Sequence, residues 1–278
     1  MKRKDRDYRL DLLRVIAISM IVLMHSPMPD SAPGFVLTGI SYFTAPGIGL
    51  FFMISGALLL NNDLSTKAFL KRRFSKVLFP TLFWTFFYLV VKCIESPRPI
   101  KELLTSVLSV PFSAQGHGVL WFMYTMSGLY LLTPILSRWL KSASKREVEF
   151  YLLLWGLTLV YPYLKPLLLL DEGVSGILYY FTGYAGYFLL GYYLNYLYVL
   201  RKKQLFVAIV VVALIPSLLY SSRIEFDFYS MLWYLSLPVA LMSFVWYVLS
   251  GEERINATHF WDCSLNSLLA YTLFMFLL

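Results

Sequence analysis

The sequence predicts an all-α integral membrane protein: a polytopic helical bundle of about nine transmembrane helices, with the N-terminus in the cytoplasm. Composition, the length of the apolar runs and the distribution of Lys and Arg each point to it. Of 278 residues, 59% are hydrophobic and only 14% charged, whereas a soluble domain carries about 25% charged residues to cover its surface. The 22 Phe, 21 Tyr and 7 Trp exclude disorder, because a segment that stays unfolded is poor in aromatic residues.

A bilayer core about 30 Å thick needs roughly 20 apolar residues per helix. Nine segments approach that length: 10–27, 42–60, 76–95, 118–139, 149–169, 176–199, 204–221, 228–249 and 260–278. Their apolar runs are continuous, unlike the alternation over about ten residues of a barrel strand. Loops on one side hold eighteen Lys and Arg, at the N-terminus, 61–76, 138–148, 201–203 and 250–259, against five on the other. By the positive-inside rule the first set is cytoplasmic. The net charge of +8 is thereby explained, and no nucleic-acid partner is expected.

The first apolar segment follows basic residues, as a signal peptide does. Asp11 and Arg14 interrupt it and no small-residue cleavage site follows, so it reads as a retained helix. In the outer connection 96–117, Ile100, Leu103, Leu104, Val107 and Leu108 recur at helical spacing, which predicts a short helix on the membrane surface. Cys93 and Cys263 stand in apolar surroundings without CxxC spacing and read as small buried hydrophobes. No repeat or second domain interrupts the chain, which reads as one transmembrane domain over 1–278.

Three places carry chemistry. An ionisable group inside a spanning helix costs roughly 2.5 to 3.5 kcal/mol on insertion scales and marks function by default; the first helix carries Asp11, Arg14 and His25. Eleven positions of α-helix bring Arg14 and His25 to one face, about 16 Å apart along the axis. They also fit a plainer pair of roles, Arg14 snorkelling to the inner interface and His25 capping the outer end before Pro27. The second place is Lys71-Arg72-Arg73-Phe74-Ser75-Lys76, either a cytoplasmic anchor or a receiver of phosphates, for which Arg presents a planar fork and Lys a point charge. The third is Gly116-His117-Gly118-Val119-Leu120-Trp121, where His117 shares the outer side with His25 and Trp121 opens the fourth span. Two histidines there suit acid–base chemistry. They suit zinc poorly without a third ligand, and no metal is expected.

Together these segments resemble the acyltransferase 3 family of membrane-bound O-acyltransferases. The matching text is Arg9-Leu-Asp11-Leu-Leu-Arg14-Val-Ile-Ala with His25 after ten intervening residues, Gly49-Leu-Phe-Phe-Met-Ile-Ser55-Gly56, and the basic run ending in Pro80. It continues with Leu120-Trp121-Phe122, Tyr130-Leu-Leu-Thr-Pro134 and Tyr187-Phe-Leu-Leu-Gly191, in family order along nearly the whole chain. The resemblance implies a multi-pass protein of the inner (cytoplasmic) membrane. It would take an acyl donor, usually acetyl-CoA, from the cytoplasm and acylate a hydroxyl of a cell-surface or lipid-linked carbohydrate. It also implies that His25 is catalytic with Arg14 as its partner, and that Arg73 and Lys76 contact the cofactor; from their positions in the sequence, Arg72 is read as a further cofactor contact and His117 and Trp121 as substrate contacts at the outer mouth.

The family's second basic motif has two arginines where this chain has Arg73 and Lys76, so one bidentate fork is absent. Ser267-Leu-Leu-Ala-Tyr271-Thr-Leu-Phe274 has Phe where the family's terminal helix commonly has His, and the chain holds nine apolar segments where the family usually has ten. The resemblance therefore predicts an acyltransferase domain lacking the final helix. Two rival readings are a transporter or flippase of glycan precursors, which would also use intramembrane Arg and His, and an inactive structural member.

Overall fold

A computed structural model describes residues 7–29, 31–96, 99–112, 120–170, 176–199, 202–222 and 225–250, and contains no strand among them. The chain divides into two compact units, Met1–Leu58 with Ser144–Leu278, and Leu59–Ala143.

The first unit opens with α1 (Tyr8–His25), an unbroken helix whose N-cap Asp7 accepts from the Arg9 backbone at 3.1 Å. α2 (Gly34–Thr44) and α3 (Pro46–Leu59, whose last residue falls to the second unit) follow end to end. The sequence reading began this span only at residue 42; helical geometry starts at Gly34, and Gly34–Leu59 forms one apolar stretch of 26 residues. α8 (Lys145–Leu168) begins in a capping box: Ser144 Oγ accepts from the Glu147 backbone at 3.3 Å, and the Glu147 carboxylate accepts from the Ser144 backbone at 2.5 Å. Hydrogen bonds donated to the carboxylate by Ser144, from its backbone N–H foremost and then from its hydroxyl, hold the Glu147 carboxyl below its usual range.

Two expected spans are divided. Residues 176–199 form a 3₁₀ turn (Gly176–Phe181) and α9 (Ala185–Tyr196), with Gly183 between them at φ +94°, a conformation open to glycine but strained for other residues. Residues 228–249 form the single turn α11 (Phe228–Met231) and α12 (Leu237–Leu249). Ser236 is the N-cap of α12 and Pro238 lies in its first turn, where a missing N–H costs nothing and the fixed φ starts a helix. α10 (Lys202–Ser221) lies between these pairs in sequence.

Glycines admit a close crossing of α3 and α9 in this unit. The backbone of α3 at Gly56 meets that of α9 at Phe188, and α9 at Gly191 meets α3 at Met53, so closely that a Cβ at either glycine would collide with backbone. Small residues that admit such approach are the usual device of membrane helix packing. Gly186 lies against the Trp155 ring, whose Nε1 donates to the Gly183 carbonyl at 3.0 Å.

The second unit contains α4 (Thr66–Phe74), α5 (Leu78–Glu95), α6 (Ile100–Ser109) and α7 (Trp121–Ser142). α6 is the short helix expected in the 96–117 connection. On α5, Thr81, Thr85 and Leu89 are buried while Phe79, Phe83, Phe86, Phe87 and Ile94 are exposed. The buried hydroxyls bond inside their own helix, Thr81 Oγ1 to the Val77 carbonyl at 2.7 Å and Thr85 Oγ1 to the Thr81 carbonyl at 2.9 Å. Tyr124 of α7 donates to the Val110 carbonyl at 2.5 Å and lies 3.0 Å from Thr85 Oγ1. Small polar groups inside and phenyl rings outside is the reverse of a soluble helix, and suits one whose surroundings are hydrocarbon.

α10 has the same character, with Phe206, Val207, Ile209, Leu214 and Leu218 exposed. Gly34–Leu59, Thr66–Glu95 and Lys202–Ser221 are each long and apolar enough to cross a membrane.

Candidate functional site

α1 presents the first candidate group. Its continuity from Tyr8 to His25 keeps Arg14 and His25 on one face, about 16 Å apart along the axis. Arg14 forms an ion pair with Asp11 one turn earlier, both side chains partly covered. This is the pairing that a carboxylate beside a cation in an apolar helix calls for, since it removes the cost of two separate charges.

His25 is the last residue of α1 and is exposed. The helix stops there because Ser26 leaves helical geometry before Pro27; its backbone N–H bonds the Leu23 carbonyl at 3.3 Å and its Oγ donates to the Val22 carbonyl at 2.8 Å. The neighbouring Met24 is held by the Tyr234 hydroxyl, 3.2 Å from its sulfur, and Tyr234 packs on Trp233 with ring centroids 4.5 Å apart. The Tyr234 carbonyl accepts in turn from the Tyr187 hydroxyl at 2.6 Å. The bend between α11 and α12 thus fixes the end of α1 that carries His25.

Sequence reasoning counted Arg9 as a topological charge and as part of the first family motif, with no contact beyond α1. In the structure its guanidinium donates to Asn195 Oδ1 of α9 and stands 5.2 Å from the Tyr247 ring centroid of α12, with Asp7 at 3.7 Å. Arg9 therefore ties the start of α1 to two other helices of its unit. The one local signal was Asn195, an amide in an otherwise apolar and aromatic run.

The second candidate group belongs to the other unit. Lys71, Arg72 and Arg73 occupy the last turn of α4, where cations are favoured by the helix dipole. Arg72 and Lys76 are exposed, whereas Arg73 is half-buried, its guanidinium 5.9 Å from the Phe69 ring and 6.0 Å from that of Tyr130. Phe69 and Tyr130 meet edge to face at 6.5 Å. Attraction to the two ring faces restrains the Arg73 guanidinium, which distinguishes it from the exposed Lys71, Arg72 and Lys76.

Phe69 also lines a polar cavity of about 260 Å³, together with Asn62, Asp63, Thr66, Ser137, Arg138 and Lys141. Arg138 donates to Thr66 Oγ1 at 2.9 Å, Lys141 pairs with Asp63 at 2.8 Å and Asn62 donates to Ser137 Oγ at 3.3 Å. Sequence reasoning had missed this cluster, because its residues are seventy and more positions apart.

Trp121 is the first residue of α7, half-buried and edge to face with Phe122 at 6.2 Å. His117 lies outside the described residues, as do Cys263 and the Ser267–Phe274 run; Cys93 on α5 is half-buried. Among the described residues no group of three or more His, Cys, Asp or Glu is placed to hold a metal ion.

A family model described as an acyltransferase domain, acyltransferase 3, matches residues 7–278. The chain belongs to the acyltransferase 3 family. No curated protein and no solved structure matches it. Membership in the acyltransferase 3 family points to transfer of an acyl group to a hydroxyl and implies an acyl donor. With three stretches long and apolar enough to cross a membrane, it also points to a membrane protein.

Proposed function

We propose that this acyltransferase 3 protein takes an acyl group, acetyl in the simplest case, from acyl-CoA at the cytoplasmic face of the inner membrane. It passes that group to a hydroxyl of a cell-surface or lipid-linked carbohydrate. The observation that carries the reading is the family match over residues 7–278.

Transfer from a thioester to a sugar hydroxyl needs a base for the hydroxyl proton and groups that stabilise the developing oxyanion. Neutral His25 is the base in this account: its ring nitrogen takes the proton as the oxygen attacks the thioester carbonyl, and the imidazolium returns that proton to the sulfur as the C–S bond breaks, so CoA leaves as the thiol. Arg14 lies about three helical turns away, too far to reach the same atom. It serves the extended donor, with Asp11 holding it in place. Arg72, Arg73 and Lys76 receive donor phosphates, Arg73 by its restrained fork and the others as mobile charges. His117 and Trp121 belong to the acceptor side.

The reaction is tested by incubating purified protein with acetyl-CoA and a panel of glycans and following free CoA thiol. Acceptor-dependent release supports the reading; movement of a glycan precursor without thiol release selects a transporter.

The sidedness has a separate test. With Cys93 and Cys263 replaced by Ser, a cysteine at Lys202 should be shielded from an impermeant thiol reagent in intact cells and one at Ser96 should be labelled. The opposite pattern would reverse every side assignment made from the Lys and Arg distribution.

A further inference from the structure

Four helices of the first unit, α8, α9, α10 and α12, wall a groove of about 650 Å³ that the acyl-transfer reading does not use. Leu153, Leu190, Val207 and Phe244 make its sides apolar, and one end is polar. At that end the Tyr193 hydroxyl donates to Glu149 Oε1 at 2.6 Å, and Lys145 stands 3.8 Å from the same oxygen. The carboxylate is therefore already matched. The Tyr198 hydroxyl donates to Gln204 Oε1 at 2.9 Å, which leaves the Gln204 amide N–H groups as donors. Lys203 also lines the groove, is exposed, and has no ion-pair partner among the described residues.

We propose that this groove binds one anionic glycerophospholipid of the surrounding bilayer, its phosphate at Lys203 and Gln204 and an acyl chain along the leucines and Phe244. Lys203 and Val207 are four residues apart on α10, hence on one face and about 6 Å apart along the axis. That spacing passes from charge to hydrocarbon over the length separating a lipid phosphate from its first methylenes. The net positive charge of the polar end, with Glu149 matched by Lys145, selects an anion. The side walls favour a methylene chain over a peptide, because a peptide entering them would bury backbone N–H and C=O groups against surfaces that offer no partner. α10 is itself one of the stretches long and apolar enough to span, and it packs chiefly on α12, so a lipid here would sit at the seam between α10 and the rest of its unit.

The test is native mass spectrometry of the full chain, stripped of lipid by detergent exchange and titrated with phosphatidylglycerol or phosphatidylcholine. One phosphatidylglycerol should bind about fivefold more tightly than phosphatidylcholine, the preference that one Lys near an anionic headgroup supplies. Lys203→Ala, a change at an exposed site, should abolish that preference, and Val207→Trp should weaken binding of both lipids by filling the groove. Equal affinity for the two lipids in the unaltered protein, or a preference that survives Lys203→Ala, would overturn the proposal. A photo-crosslinking residue at Val207 should capture phospholipid. Capture of residues 251–278, or of a second copy of the chain, would contradict the proposal by naming a different occupant.

Discussion

Replacing His25 with Ala is expected to reduce acyl transfer on the order of 10²- to 10⁴-fold, the range that a positioned general base contributes, while donor binding is retained. His25 is the final residue of α1 and its side chain is exposed, so truncation removes no core packing and the variant should insert and fold. The neighbouring anchor, Tyr234 to the Met24 sulfur, is untouched by the change. The pH dependence has a definite sign. The base works as neutral imidazole, so turnover should fall as pH drops and the His25 ring becomes protonated, because protonation removes the accepting lone pair. A helix-capping role for His25 predicts the opposite pattern: a modest loss of stability and near-normal turnover in the folded variant.

Arg73→Ala is expected to weaken binding of acetyl-CoA by about 10- to 100-fold, corresponding to the ~1.5–3 kcal/mol typical of hydrogen bonds to charged groups. Of the four cations after Phe69, Arg73 alone is half-buried and set beside the Phe69 and Tyr130 rings, so its fork loses less freedom on meeting a phosphate than an exposed side chain would. Arg72→Ala and Lys76→Ala act from exposed positions and should each cost less, with losses that shrink as salt is raised. Arg73→Lys separates the two roles of this residue. It keeps the charge but not the planar fork, and should recover only part of the affinity while restoring stability lost to the alanine change. Unchanged affinity in Arg73→Ala and Lys76→Ala alike would return the cluster to the role of an interfacial anchor.

The helical architecture was legible because composition and continuous apolar runs are properties of whole segments. α1 and α6 were found by local patterns, retained charges in one and apolar spacing of three and four in the other. The breaks at Gly183 and at Ser236–Pro238 were not, since each depends on one or two residues inside runs whose average hydropathy stays high. The start of α2 was missed for a related reason: Gly34 to Ser41 mixes small and polar residues with apolar ones, and helical continuity through Pro46 depends on the elements around it.

The site was legible in part. Asp11 and Arg14 are one turn apart, so their pairing follows from helix geometry. The contacts of Arg9 with Asn195 and Tyr247, of Arg73 with Tyr130, and of Arg138 with Thr66 join residues far apart in the chain. No local period encodes such contacts; they come from tertiary packing.

Transfer of a heavy-isotope acetyl group is the most direct test of the central claim. Purified protein reconstituted in phospholipid vesicles would receive heavy acetyl-CoA on one side and an acceptor glycan on the other, with the glycan then analysed by mass spectrometry. The account predicts a heavy acetyl ester on a glycan hydroxyl, one CoA thiol released per ester formed, and neither product from the His25→Ala protein. An unmodified glycan with acetyl-CoA intact, or an ester formed equally well without His25, would contradict it.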